Sequence, residues 1–147
     1  MQLSSICSQD DVEYCVDMYR ALSDEAFMPT SREVAISSLW KLVRMKRFVR
    51  CLRRDDRIIA WLYAERVQLL HTGYPIFQQM YYASDQTGVR AVRCVTALHD
   101  AMRDYAVSQG YRMITSPGSH LDPDYTFARI LEKHGWLRRG HAAALHI

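Results

Sequence analysis

Proton chemistry in this sequence is offered first by Glu65 and His71, then by the tandem Tyr81-Tyr82, and then by Ser116, Ser119 and His120. Carboxylate, imidazole, phenol and hydroxyl are the groups that act as general acids and bases. Each has a plainer reading. A strand glutamate is commonly a solvated outward residue, the inward tyrosine of an adjacent pair is commonly a core aromatic, and Ser116-Pro117-Gly118-Ser119 has the composition of a turn. The four cysteines, Cys7, Cys15, Cys51 and Cys94, include no C-x-x-C pair and no histidine at ligand spacing. They predict buried, reduced thiols. His134, His141 and His146 show no repeated ligand spacing either, so they read as structural and no metal site is expected.

A chain of 147 residues with 49% hydrophobic and 24% charged content predicts one globular domain, burying about two-thirds of its unfolded surface. The longest charge-free stretch, residues 67–84, is interrupted by Gln68, His71, Gly73, Pro75, Gln78 and Gln79, which excludes a membrane-spanning helix there. The first seven residues lack a basic segment followed by an apolar one, so no secretory signal is expected and the reading is cytoplasmic. The net charge of +3 hides an asymmetry. Six acids precede Pro29 against Arg20, whereas residues 44–57 hold Arg44, Lys46, Arg47, Arg50, Arg53, Arg54 and Arg57 against Asp55 and Asp56. Such a cluster can neutralise phosphates, but strand alternation spreads it over a solvated face without interleaved aromatics, so nucleic acid is not the expected partner.

The elements that position these groups follow from hydrophobic period. A strand over residues 3–7 leads to a helix capped by Ser8, with Val12, Cys15, Val16, Tyr19 and Leu22 on one face. Thr30 and Glu33 form a capping box for a second helix bearing Ile36, Leu39, Trp40 and Val43. Alternating runs at 48–53 and 58–67 flank Asp55-Asp56 as a hairpin, and a third strand at 76–83 follows the turn Thr72-Gly73-Tyr74-Pro75. A long helix with Val92, Val95, Leu98, Ala101, Met102 and Tyr105 on one face stops at Gly110. A strand at 111–115, a helix opened by Asp122-Pro123 and stopped by Gly135, and one or two strands in 136–147 complete the pattern.

This order, with two local motifs, resembles the GNAT family of acyl-CoA-dependent N-acyltransferases over essentially the whole chain. The family carries Q/R-x-x-G-x-G/A between the third hairpin strand and the long helix. Here the hexapeptide is Gln86-Thr87-Gly88-Val89-Arg90-Ala91, which keeps the first and last positions and has Val89 in place of the first glycine. The backbone N–H groups of such a loop hold a pyrophosphate if no side chain blocks them. Gly88 offers another path for the loop and Arg90 a charged contact; alternatively Thr87-Gly88 is a simple strand-to-helix turn. The second motif, Lys133-His134-Gly135-Trp136, is similar to the family's lysine, variable residue, glycine and aromatic. Leu131 stands where many members have a proton-donating tyrosine, and Asp124 where an asparagine is common.

The resemblance implies an α+β fold with a mostly antiparallel sheet between helices. It also implies acetyl-CoA as cofactor and direct acetyl transfer to a small-molecule or protein amine. Residues 86–91 with Tyr81, Ser116 and Asp124 would bind acetyl-CoA, and Glu65, Tyr82 and His120 would carry the proton chemistry, with His71 as another candidate base. Proximity of two bound substrates supplies much of the rate, so loss of the tyrosine is not fatal. The competing reading is a catalytically degenerate member kept as a structural or interaction module with protein partners. Small GNAT-like proteins of bacteriophages, including virion components, are the model for it. The acceptor and the oligomeric state, a homo-oligomer included, stay open.

Overall fold

The computed structural model describes residues 1–22, 31–68, 70, 73–116 and 126–137. Among them run β1 (Gln2–Ser5), α1 (Gln9–Leu22), α2 (Arg32–Arg44), β2 (Phe48–Arg54), β3 (Arg57–Val67), β4 (Ile76–Ser84), α3 (Gly88–Ser108), β5 (Ile114–Thr115) and α4 (Thr126–Lys133). The five strands form one sheet in the order β1-β2-β3-β4-β5, antiparallel except for the parallel pair β4–β5. The architecture is the expected mixed α+β sandwich.

Local chemistry accounts for the elements. Ser8 Oγ accepts from the Asp11 N–H at 3.1 Å, which caps α1 with its acids in the first turn. The N-cap of α2 is Ser31, one residue beyond the expected box. Its hydroxyl accepts from Val34 N–H at 3.4 Å and donates to Glu33 at 3.1 Å. Asp55 and Asp56 both take positive φ, 50° and 62°, the twist of a two-residue hairpin that carries β2 straight back into β3. The expected strand over residues 111–115 shrinks to Ile114–Thr115, because Arg112 and Met113 are exposed and β5 bonds β4 only at Phe77↔Ile114 and Gln78↔Thr115.

Two apolar layers cover the sheet. On one face Val12, Cys15 and Val16 of α1 and Leu39 of α2 pack on Val49, Cys51, Trp61, Tyr63 and Ala83. On the other, Cys94, Leu98, Met102 and Ala106 of α3 pack on Phe48, Leu52, Leu62, Ala64 and Phe77. Cys15, Cys51 and Cys94 are buried free thiols, as their types predict, whereas Cys7 is exposed. Burial pushes the Cys15 thiol far above its usual range, so it stays protonated. No helix among the described residues is long and apolar enough to cross a membrane.

Candidate functional site

The sheet changes character at one point. Between Tyr63/Ala64 of β3 the register with β4 slips, so Tyr63 faces Tyr81 and Ala64 faces Gln79, leaving Met80 as the extra residue of a β-bulge. The last β4–β5 pair, Gln78↔Thr115, lies two residues before Met80. Beyond it β4 runs on to Ser84 with no strand partner on that edge among the described residues.

Pleating sends the residues around the bulge to opposite faces. On the α1/α2 face, register aligns Glu65, Gln78 and Thr115 across three strands. The half-buried Glu65 carboxylate accepts a hydrogen bond from the Tyr63 hydroxyl, and Thr115 Oγ1 donates to Gln78 Oε1 at 3.2 Å. Burial first, then the hydrogen bond to Glu65 and its charge, hold the Tyr63 phenol well above its usual pKa. Beyond Glu65, Tyr63, Tyr81, Trp61 and Tyr19 form an aromatic wall. Tyr81 lies parallel to Tyr63 at 6.3 Å and edge-on to Tyr19 at 5.2 Å. The Trp61 indole N–H is buried in this wall without a hydrogen-bond acceptor among the described residues.

On the α3 face, Gln79 of β4, His99 of α3 and Ser116, the residue after β5, meet in one polar cluster. His99 is 1% exposed and surrounded by the rings of Tyr82, Phe127 and Trp136 at 5.8, 5.2 and 5.5 Å. Burial pushes its pKa down to about 4 although its Nδ1 bonds the Val95 carbonyl at 2.8 Å. Sequence reasoning missed both His99 and Gln79. His99 falls among the apolar residues of α3 and shows its partners only once the sheet brings Gln79 and Ser116 beside it.

The remaining expected residues divide between three places. Tyr82 is packed against His99 and Phe127, and burial pushes its phenol far upward. At the start of α3, Gln86 is tied back to Asp85 at 2.6 Å, Thr87 is the N-cap and Gly88 has φ 60°. Gly88, one position before the family motif's first glycine, takes a left-handed turn, and Val89 is 69% exposed. A Cβ built at Gly88 would meet no atom within 4 Å, and no acid lies in the first turn of α3. The first N–H groups of α3, with exposed Arg90 and Arg93 beside them, thus form a cationic helix end suited to phosphate. His71, Ser119, His120 and Asp124 lie outside the described residues.

Two open cavities lie elsewhere. One, of about 470 Å³, sits at the far end of the sheet beside Arg66, Tyr74 and Arg112. The other, of about 330 Å³, is lined by Tyr14, Asp17, Met18 and Asp85 next to the start of α3.

No protein-family model and no curated protein matches the sequence. Solved structures do. A probable acetyltransferase superposes with a TM-score of 0.75 at 12% identity, covering 100% of this chain and 98% of its own. A predicted acetyltransferase from Clostridium acetobutylicum, solved with acetyl-CoA, gives 0.68 at 14% identity over 99% and 96%. An aminoglycoside acetyltransferase from an uncultured soil metagenomic sample, solved with sisomicin, gives 0.65 at 16% over 99% and 96%. At these identities the likeness speaks for architecture, and the architecture is that of the GNAT acetyltransferases.

Proposed function

We propose that this chain is an acetyl-CoA-dependent N-acetyltransferase that passes the acetyl group directly to an amine. The observation that carries the reading is the parting of β4 from β5 at a bulge, with a cationic helix end at the far end of β4. From Gln79 to Ser84 β4 spans about 17 Å at ~3.4 Å per residue, an extended edge along which a pantetheine arm can bond. The first turn of α3, Gly88 and Arg90 hold the pyrophosphate, and Val89 stands clear of it. Acetyl-CoA supplies the activated thioester.

The other substrate approaches from the α1/α2 face. Glu65, fixed by Tyr63, takes the proton of the incoming ammonium. The rings of Tyr19, Tyr63 and Tyr81 attract a cation before it is deprotonated and exclude water around it. Tyr82, locked between α3 and α4, shapes the opposite wall. The second reading, a module without catalysis, rests on Leu131, which is 4% exposed and has no proton to give.

Release of free CoA thiol from acetyl-CoA, followed over a panel of primary amines, separates the two. The enzyme reading predicts turnover with at least one amine class. It also predicts a loss of about 10²–10⁴-fold in kcat for Glu65→Gln with acetyl-CoA binding retained. Binding without turnover across the panel would leave the module reading standing.

A further inference from the structure

Among the described residues, the cavity of about 470 Å³ at the far end of the sheet is lined by two arginines and two tyrosines and by no acid. β3 brings Arg66 to it on the α3 face, because Arg66 lies opposite Phe77 of the α3 layer and Phe77 lies opposite Ile114. Glu65, the preceding residue, falls on the other face and is held by the Tyr63 hydroxyl. The end of α3 supplies another side. Gly110, at φ 80°, closes the helix: its N–H bonds the Val107 carbonyl at 3.1 Å, and the Tyr111 N–H bonds the Ala106 carbonyl at 3.0 Å. This turn leads the chain from the helix into Tyr111 and Arg112, which line the cavity with Arg66.

Two guanidinium groups thus share one cavity without a counter-charge. Arg32, Arg53, Arg57 and Arg103 each pair with a carboxylate, whereas Arg66 and Arg112 pair with none among the described residues. The helix end does not hold them either, since the carbonyls of Tyr105, Ala106 and Val107 are engaged by the N–H groups of the cap. Arg112 is braced by the Tyr74 ring, 5.8 Å from its guanidinium carbon, and the Tyr111 ring is fixed on Phe77 at 5.1 Å.

A pair of guanidinium forks in a concave, acid-free site matches an oxyanion of two charges, and a phosphomonoester carries both on one group. The cavity has the size of a small-molecule site, which leaves room beside the phosphate for a small organic body against Tyr74 and Tyr111. We propose that this cavity binds a small phosphomonoester through Arg66 and Arg112. It is separate from the acetyl-CoA cleft, because the 21 residues of α3 hold the two ends of the helix about 30 Å apart. The site stands whether or not the chain transfers acetyl groups.

The test titrates the full chain with glycerol phosphate and, in parallel, with inorganic phosphate, following both heat and backbone amide shifts by NMR. Glycerol phosphate should bind with a Kd of about 0.1–1 mM and shift the amides of Gly73, Gly110 and Arg112, while those at the start of α3 stay in place. Arg66→Ala and Arg112→Ala, both at exposed positions, should each weaken it about tenfold, and Arg112→Lys, which keeps the charge and loses the fork, by several-fold. Arg90→Ala and added acetyl-CoA should leave it unchanged, and inorganic phosphate should bind several-fold more weakly. Absence of binding at about 10 mM ester overturns the proposal. So do shifts confined to the start of α3, competition by acetyl-CoA, or affinity unchanged in both alanine variants. Equal affinity for inorganic phosphate overturns the organic body and keeps the anion. A chain that takes glycerol phosphate and not acetyl-CoA overturns the acetyl-transfer reading alone.

Discussion

His99 illustrates how burial alone converts a titratable side chain into a fixed one. Its imidazole titrates near 6.5 in the unfolded chain and near 4 in the fold, because the charged form would have to sit among Tyr82, Phe127 and Trp136 without water. The unfolded state therefore binds the proton first, and the native state loses stability as pH falls from about 6.5 to about 4. The loss reaches about 3 kcal/mol once both states are charged. Urea unfolding at pH about 7 and about 5 should show a difference that His99→Gln largely removes, and an unchanged slope in that variant would place the effect elsewhere. Glu65 and Ser116 were legible from type and position, since a carboxylate in a strand and a hydroxyl after one are visible without coordinates. His99 was not. On α3 it shares the helical spacing of Val95, Leu98 and Met102, and its polar partners come from residues 20 and 17 positions away.

The β2–β3 hairpin carries the clearest strain among the elements. Asp55 and Asp56 both occupy the left-handed region, where an L side chain crowds its own carbonyl. Asp56→Gly should stabilise the protein by about 0.5–1 kcal/mol, read as a higher urea midpoint at unchanged m-value. A lower midpoint would mean that the aspartate makes a compensating contact. This hairpin and β4 were legible to within about a residue, because alternation of apolar positions fixes register wherever a face is buried. Two features were not. Thr30 and Ser31 are adjacent capping hydroxyls that composition cannot rank, and the structure shows Ser31 in the role. The length of β5 depends on where its pairing with β4 begins, at Phe77↔Ile114 just after β4 starts, a property of strand pairing that the residues of 111–115 do not encode by themselves. In the hexapeptide of residues 86–91 the sequence offers Gly88 as another path for the loop, and Gly88 is the residue with positive φ. The turn falls on Gly88, and the Val89 side chain is exposed.

At the scale of the molecule, the sheet divides the chain's charge as well as its core. The basic run of residues 44–57 looks like one patch in sequence, yet the length of β2 separates Arg47, just before it, from Arg53 near its end by about 20 Å, with Arg44 and Lys46 preceding the strand and Arg57 opening β3. Two of these are spoken for. Arg53 pairs with Asp11 at 2.6 Å and fastens α1 to β2, while Arg57 bonds Tyr14 and Asp85 and braces the segment that leads into α3. The paired arginines so hold the sheet beneath the cleft, and Arg90 and Arg93 are left as the cations at the start of α3. The most direct check of the whole account is a calorimetric titration of the purified chain with acetyl-CoA, repeated with Arg90→Ala and at raised salt. The account predicts a Kd on the order of micromolar for the wild type, weakened several-fold by either change, as a phosphate held at a helix end requires. Absence of binding at about 1 mM acetyl-CoA would contradict it and leave the fold without its reaction.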